Sequence, residues 1–163
     1  MLVGRGRRVA RLLAPASVLV AVLGGCGGTS TETPSDAPST VDPDAYATEL
    51  LDLTNVTRVE QGLEELVRSP CARAAALERA AALVGEEELV HAPLAPVIDA
   101  CAPLTTAAEN LVNSSAEPID VVDAWLRSPG HRANIVDPKL TEIGISCVRD
   151  DEMMLCSQVF LGP

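Results

Sequence analysis

Four residue pairs that end in proline divide the chain after residue 40 into short segments. In each pair an acidic residue or a serine precedes the proline, and a helical pattern follows. The pairs are Asp42-Pro43, Ser69-Pro70, Glu117-Pro118 and Ser128-Pro129. Proline is favoured at the first position of a helix, and Asp or Ser before it caps free backbone N–H groups. Each pair therefore predicts a helix start, which excludes long uninterrupted helices.

The apolar spacing predicts where these helices run. We expect helices over about 43–61, 70–84, 94–101 and 118–127, with Gly62 and Gly85 ending the first two. In the last of them Trp125 shares a helical face with apolar neighbours, which predicts a core residue. If Ser128 caps the next helix, His131 lies in its first turn, where the helix dipole lowers the pKa of the imidazole.

The C-terminal segment changes from the helical period to the period of a strand. Ile143, Ile145 and Cys147 alternate with small residues, an acidic turn follows, and a second apolar run covers 154–160. A tight turn centred on 151 and 152 places Cys147 opposite Cys156. Helices first and strands last predict a layered α+β domain with a small antiparallel sheet.

The N-terminal segment has the pattern of an export signal. Four arginines lie within the first eleven residues, and an apolar run over 12–23 follows that is too short to span a bilayer. The run ends in Leu23-Gly24-Gly25-Cys26, which resembles a bacterial lipobox. We therefore predict a signal peptide over 1–25, a lipidated Cys26 with a flexible tether over 26–43, and a folded domain over 44–163 at the extracytoplasmic face of the membrane. The alternative is an ordinary signal peptide that ends near a cysteine.

The cysteine count agrees with a lipidated Cys26. Five cysteines are an odd number, and removing Cys26 leaves four in a compartment that favours disulfides. The hairpin register predicts Cys147–Cys156, and elimination then predicts Cys71–Cys101.

The charge of the chain excludes one class of partner. The net charge is −11, and the sequence contains only three aromatic residues on which bases could stack. Such a surface repels phosphate backbones, so we expect no nucleic-acid binding. We expect a monomer that meets the membrane through its lipid anchor.

The segment that begins at Trp125 carries the most specific motif. Ser128-Pro-Gly-His131-Arg-Ala-Asn134-Ile follows the tryptophan closely, and the whole resembles the W-x-x-S-P-G-H-R-x-N-I-L signature of the bacterial branch of the CAP superfamily. That superfamily groups cysteine-rich secretory proteins, antigen 5 and pathogenesis-related proteins. The opening helix, His91, the Glu109-Asn110 pair and the closing strand 156–160 follow in the order of the family. The resemblance covers about 45–161 and implies an α/β/α sandwich.

The resemblance also implies a site. In the family two histidines and two glutamates line a cleft that can hold a divalent cation. His91, His131 and Glu109 match three of them, whereas Ser128 stands at the usual position of the second glutamate. The resemblance thus implies weak binding of zinc or a similar cation, completed by water, with Ser128 and Asn110 beside the ligand.

Other interpretations of the same residues stay open. The cleft of this family is linked with lipid or small-molecule ligands, and two imidazoles with one carboxylate also match a metal-assisted hydrolase in which Glu109 is the general base. A third interpretation is purely structural, with His131 and Glu109 hydrogen-bonded to each other to fix their loops.

Overall fold

The structure is a computed structural model, and it describes residues 41–163. The predicted signal peptide, Cys26 and nearly all of the tether lie outside the described residues. The helices are α1 (Pro43–Glu60), α2 (Pro70–Ala81), α3 (Ala95–Ala100), α4 (Pro118–Arg127) and α5 (Pro129–Ile135). The strands are β1 (Val67–Arg68), β2 (Thr106–Ser114), β3 (Glu142–Asp150) and β4 (Met153–Gly162). No helix in this part of the chain is long and apolar enough to cross a membrane.

Two of the predicted helix starts are capped as expected. The Asp42 side chain accepts a hydrogen bond from the Asp44 N–H, and the Ser69 side chain accepts one from the Ala72 N–H. Ser128 takes the N-cap position of α5, but its side chain makes no capping bond. The pairs therefore predicted the starts of α1, α2, α4 and α5, because a proline in the first turn favours a helix even where the side-chain cap is missing.

The second helix ends earlier than predicted. We expected it to run to residue 84, but α2 ends at Ala81 because the following N–H groups, in Leu83 and Val84, bond to carbonyls only three residues back. This tighter winding is common in the last turn of a helix. The chain then reverses at Gly85, whose φ of +76° favours glycine.

The sheet has four strands in the order β1-β3-β4-β2. β4 pairs antiparallel with both β2 and β3, as predicted for the hairpin, whereas the two-residue β1 pairs parallel with β3. The sheet is therefore mixed and larger than the hairpin that the alternating pattern predicts. The sequence did not predict β2, because its residues do not alternate regularly between apolar and polar side chains.

Helices cover both faces of the sheet, which confirms the α+β sandwich. α1, α4 and α5 pack on one face in a core that includes Leu50, Trp125 and Phe160. α2 and α3 pack on the other face against Val159 and Leu161. Trp125 is 3% exposed, so its predicted core position is confirmed.

Close packing of α2 on the sheet depends on one glycine. A Cβ atom added to Gly144 in β3 would lie 2.0 Å from the backbone nitrogen of Arg73 in α2. No side chain fits in that space, so glycine allows the two backbones to touch. This contact fixes the height of α2 above the sheet, and α2 contributes a residue to the candidate site.

Both predicted disulfides are present. Cys147 and Cys156 are directly opposed in the hairpin, with Cα atoms 4.1 Å apart. Cys71 in α2 is bonded to Cys101, the residue after α3, over a Cα separation of 5.8 Å. The second bond joins the two helices that cover one face of the sheet.

A buried arginine connects the helical layer to the loop before β3. Arg58 in α1 is 3% exposed, and its guanidinium donates to four backbone carbonyls. The acceptors are the carbonyl oxygens of Glu64, Ile135, Asp137 and Leu140, at 2.9–3.2 Å. Burial lowers the pKa of Arg58, and the charge of Asp137 partly offsets this effect. One side chain thus fixes the end of α5 and the approach to β3.

We predict that Arg58→Met lowers the free energy of unfolding by about 3 kcal/mol, because it leaves buried carbonyls without donors. Arg132→Met is the matched control, since Arg132 is exposed and makes one side-chain bond of 3.3 Å to Gln61. The control is expected to lose less than about 0.5 kcal/mol. Urea denaturation measures both values, and equal losses would contradict the assigned role of Arg58.

Candidate functional site

The candidate site is built around a buried carboxylate on an edge strand. Glu109 lies in β2, the last strand in the sheet order, and its side chain is 1% exposed. Ser157 in β4 donates a hydrogen bond of 2.8 Å to Oε1. His91, from the loop after α2, donates from Nδ1 to Oε2 at 2.8 Å. The structure thus brings His91 and Glu109, two of the residues named from the sequence, into direct contact.

Arg79 is the partner of Glu109 that sequence analysis missed. Its guanidinium contacts both carboxylate oxygens, with Nη2 to Oε2 at 2.8 Å. It also donates to the carbonyls of Ala92 and Pro93, which holds the loop that carries His91. No local pattern identified Arg79 in the sequence, because Arg73 adjoins the same buried stripe of alanines at Ala72 and is nevertheless 59% exposed.

The contacts of Glu109 decide its ionisation. Burial alone would raise the pKa of this carboxyl. The hydrogen bonds from Arg79, His91 and Ser157, together with the charge of Arg79, outweigh burial and lower the pKa below its ordinary value. The carboxylate is therefore ionised at neutral pH, and the Arg79 contact raises the pKa of the guanidinium in turn. An ionised carboxylate only accepts hydrogen bonds, so His91 donates from Nδ1, and its Nε2 lies on the other side of the ring.

His131 lies on α5 and is partly buried. Its pKa is lowered by burial first and by the charge of His91 second. The direction agrees with the sequence prediction, but burial and the neighbouring imidazole account for it rather than the helix dipole. The purely structural interpretation requires a hydrogen bond between His131 and Glu109. That bond is absent from the described contacts, and His91 contacts the carboxylate instead.

Asn110 has a different environment from the one expected. It is fully buried on the opposite face of β2, because successive strand residues point to opposite faces. Its amide nitrogen donates to Gln158 and to the His131 carbonyl, and its oxygen accepts from Asn134. Gln158 continues the network by donating to Thr54 in α1. Asn110 therefore supports the site from inside the fold and does not line an accessible cleft.

Two residues of the histidine motif protect the edge of the sheet. Asn134 donates from Nδ2 to the carbonyl of Glu109 at 3.1 Å, and Trp125 donates from Nε1 to the carbonyl of Leu111 at 3.2 Å. Carbonyls on an edge strand need such partners, since no further strand supplies them. Much of the motif is thus explained by the sheet edge, and Ser128 has a backbone role at the junction of α4 and α5.

Two cavities lie near these elements. One of about 160 Å³ lies on the α2 side of the site and is lined by Arg79 and Glu109, with Leu83 and Val90. A larger one of about 600 Å³ lies between α1, α2 and β3 and contains none of the predicted site residues. The smaller cavity therefore borders the ion pair of Arg79 and Glu109 on its α2 side.

The three predicted ligands do not fit a cation as a set of three. Both oxygens of Glu109 are already occupied, and one of their partners is a guanidinium whose charge repels a metal ion. Within residues 41–163, no group of three or more His, Cys, Asp or Glu side chains is arranged to hold a metal. His91 has one feature of a metal ligand, because a metal-binding histidine commonly donates its other N–H to a carboxylate, as His91 does to Glu109.

The fold and the motif residues define a family. The sequence profile of the cysteine-rich secretory protein (CAP) family matches residues 51–160. The chain belongs to this family, and the match lies inside the predicted domain of 44–163.

Relatives support this assignment. The uncharacterized protein YkwD of Bacillus subtilis is 31% identical over 138 residues, which is 81% of this chain. The aligned region is 52% of YkwD, so this chain spans about half the length of that relative.

Solved structures share the fold at low sequence identity. An outer surface protein of Borrelia burgdorferi aligns with a TM-score of 0.68 at 20% identity, over 75% of this chain and 96% of its own. An extracellular protein of Bacillus anthracis that contains an SCP domain aligns with a TM-score of 0.66 at 20% identity, over 74% of this chain and 41% of its own. The CAP fold is therefore shown by structure as well as by sequence.

We predict that His131 makes stability depend on pH. A histidine whose folded pKa is lowered contributes fully above its unfolded pKa of about 6.5, and the contribution is lost as the pH falls below that value. The Tm of the unaltered chain should therefore fall more steeply between about pH 7 and pH 5 than that of His131→Asn. Calorimetry at a series of pH values tests this, and parallel curves would show that His131 is not shielded from protonation.

Proposed function

We propose that this protein is an exported lipoprotein whose single CAP domain binds a divalent cation weakly at the extracytoplasmic face of the membrane. Two observations support export and anchoring. The two disulfides use four of the five cysteines and leave Cys26, at the lipobox, for a lipid. Similar solved structures include a protein described as extracellular and another described as an outer surface protein.

One contact supports the cation-binding cleft more than any other. His91 donates from Nδ1 to the ionised Glu109, which fixes the ring and aims Nε2 away from the carboxylate. Half of the His91 side chain is exposed, at 52%, so that nitrogen is accessible. Burial and the charge of His91 lower the pKa of His131. Imidazole nitrogens suit a borderline metal such as zinc, with water in the remaining positions.

The proposal assigns Glu109 a different role from the one that the family resemblance implies. Glu109 orients His91 instead of binding the cation itself. The loss of a residue that orients a metal ligand through a hydrogen bond typically changes metal affinity by about 10–100-fold. Because only two protein ligands remain, the affinity of the cleft should be low.

The hydrolase interpretation has less support. A general base must reach the proton of an attacking water, but both oxygens of Glu109 already accept hydrogen bonds from three side chains. The low pKa of Glu109 also makes it a weak base at neutral pH. A binding role therefore accounts for the geometry better than catalysis.

Anchoring is tested by changing the lipidated residue. We predict that Cys26→Ala abolishes lipid attachment, so that the chain is left unprocessed or is released. Mass spectrometry of the N-terminus and detergent partitioning measure this outcome. Cys26→Ala should leave the folded domain intact, since the other four cysteines are paired with each other. A processed Cys26→Ala protein that still partitions into detergent would refute the lipid anchor.

Cation binding is tested by zinc titration calorimetry of the full chain. We predict weak binding that is lost in both His91→Ala and His131→Ala, because each variant leaves a single imidazole. Glu152→Ala is the control, since it removes a carboxylate from the acidic hairpin turn and should leave the binding unchanged. Zinc binding that persists in His131→Ala would locate the metal elsewhere and reject the proposed site.

A further inference from the structure

The Glu109 carboxylate is shared between the cleft and a buried arginine. His91 contacts it from the exposed loop, whereas Arg79 contacts both of its oxygens from α2. The Arg79 side chain is 11% exposed. A guanidinium keeps its proton throughout the pH range in which proteins are folded. Arg79 is therefore a permanent positive charge that contacts the same carboxylate oxygen as His91.

We propose that Arg79 determines the cation affinity of the cleft by neutralising Glu109, so that the cleft disfavours divalent cations. This inference takes its ligand from the proposed function, but it concerns a residue outside the motifs that identified the cleft. Arg79 is a specificity-determining residue in this proposal, since it acts through Glu109 and does not touch the ligand.

The charge balance supports this role. An ionised Glu109 without Arg79 would place a negative charge next to Nδ1 of His91. That charge would strengthen the binding of a cation by the imidazole. With Arg79 in contact, the charges of the pair sum to zero, and the attraction is largely cancelled. Interactions between charges are several times stronger in a partly buried site than in bulk water, so this cancellation matters.

The geometry also prevents Glu109 from turning toward a ligand. Oε1 accepts from Ser157 as well as from Arg79, and Oε2 is shared by Arg79 and His91. The guanidinium itself is held by the carbonyls of Ala92 and Pro93. Removal of Arg79 would leave each oxygen of Glu109 with a single side-chain partner and would leave its negative charge unbalanced.

The first comparison measures zinc affinity by titration calorimetry of the full chain at about pH 7.5. Arg79→Gln removes the charge while it keeps a hydrogen-bonding group of similar reach, and we expect zinc binding about tenfold tighter than in the unaltered chain. Arg79→Lys keeps the charge, so its affinity should lie within about twofold of the unaltered chain.

Arg79→Gln alone leaves the buried carboxylate of Glu109 without its strongest partner. A second comparison is therefore made in a background from which that carboxylate has been removed. Glu109→Gln alone leaves the charge of Arg79 unbalanced, whereas the double variant of Glu109→Gln and Arg79→Gln removes both buried charges. Removing both charges is better tolerated than removing one. We expect the double variant to bind zinc about tenfold tighter than Glu109→Gln.

The outcomes separate this inference from the proposed function. Equal affinities within both comparisons would overturn the role of Arg79, and so would tighter binding in Arg79→Lys. If the unaltered chain does not bind zinc but Arg79→Gln gains binding that His131→Ala abolishes, the role of Arg79 stands and the proposed function fails. Absence of zinc binding in every variant would reject both.

Discussion

The buried carboxylate of Glu109 is the constraint around which this domain is arranged. A carboxylate that is 1% exposed is stable only if protein groups replace the water that it has lost. The replacements come from α2, from the loop that follows it and from β4, through Arg79, His91 and Ser157. The same carboxylate thus holds both helical and strand elements in place and positions the imidazole that faces solvent. Structural stability and the chemistry of the cleft therefore depend on the same group.

The second buried charge acts through the backbone. Arg58 donates only to carbonyls, of which three lie at the end of α5 and before β3 and the fourth lies in the loop after α1. Because α5 carries His131, Arg58 fixes one histidine of the cleft in the way that Arg79 fixes the loop of the other. The two imidazoles are thus held by two buried arginines on different helices, although no sequence motif links those arginines to them.

Most residues of the motifs that identify the family have structural roles in this domain. Trp125 and Asn134 donate to carbonyls of the edge strand β2, and Asn110 joins a buried amide network with Gln158. Of the motif around residue 131, only the imidazole remains for an exchangeable ligand. Residues of a family signature can therefore protect a sheet edge rather than take part in chemistry. The role of each residue follows from its own contacts.

The sequence by itself determined what depends on neighbours along the chain. The proline pairs defined the helix starts, and the short hairpin turn determined the register that opposes Cys147 and Cys156. Only the tertiary structure decided the rest. β2 is a strand because β4 pairs with it from more than forty residues away, and Arg79 meets Glu109 across 30 residues of sequence. Such partners are selected by burial of charge and by pairing between distant strands, and neither leaves a periodic signal in the local sequence.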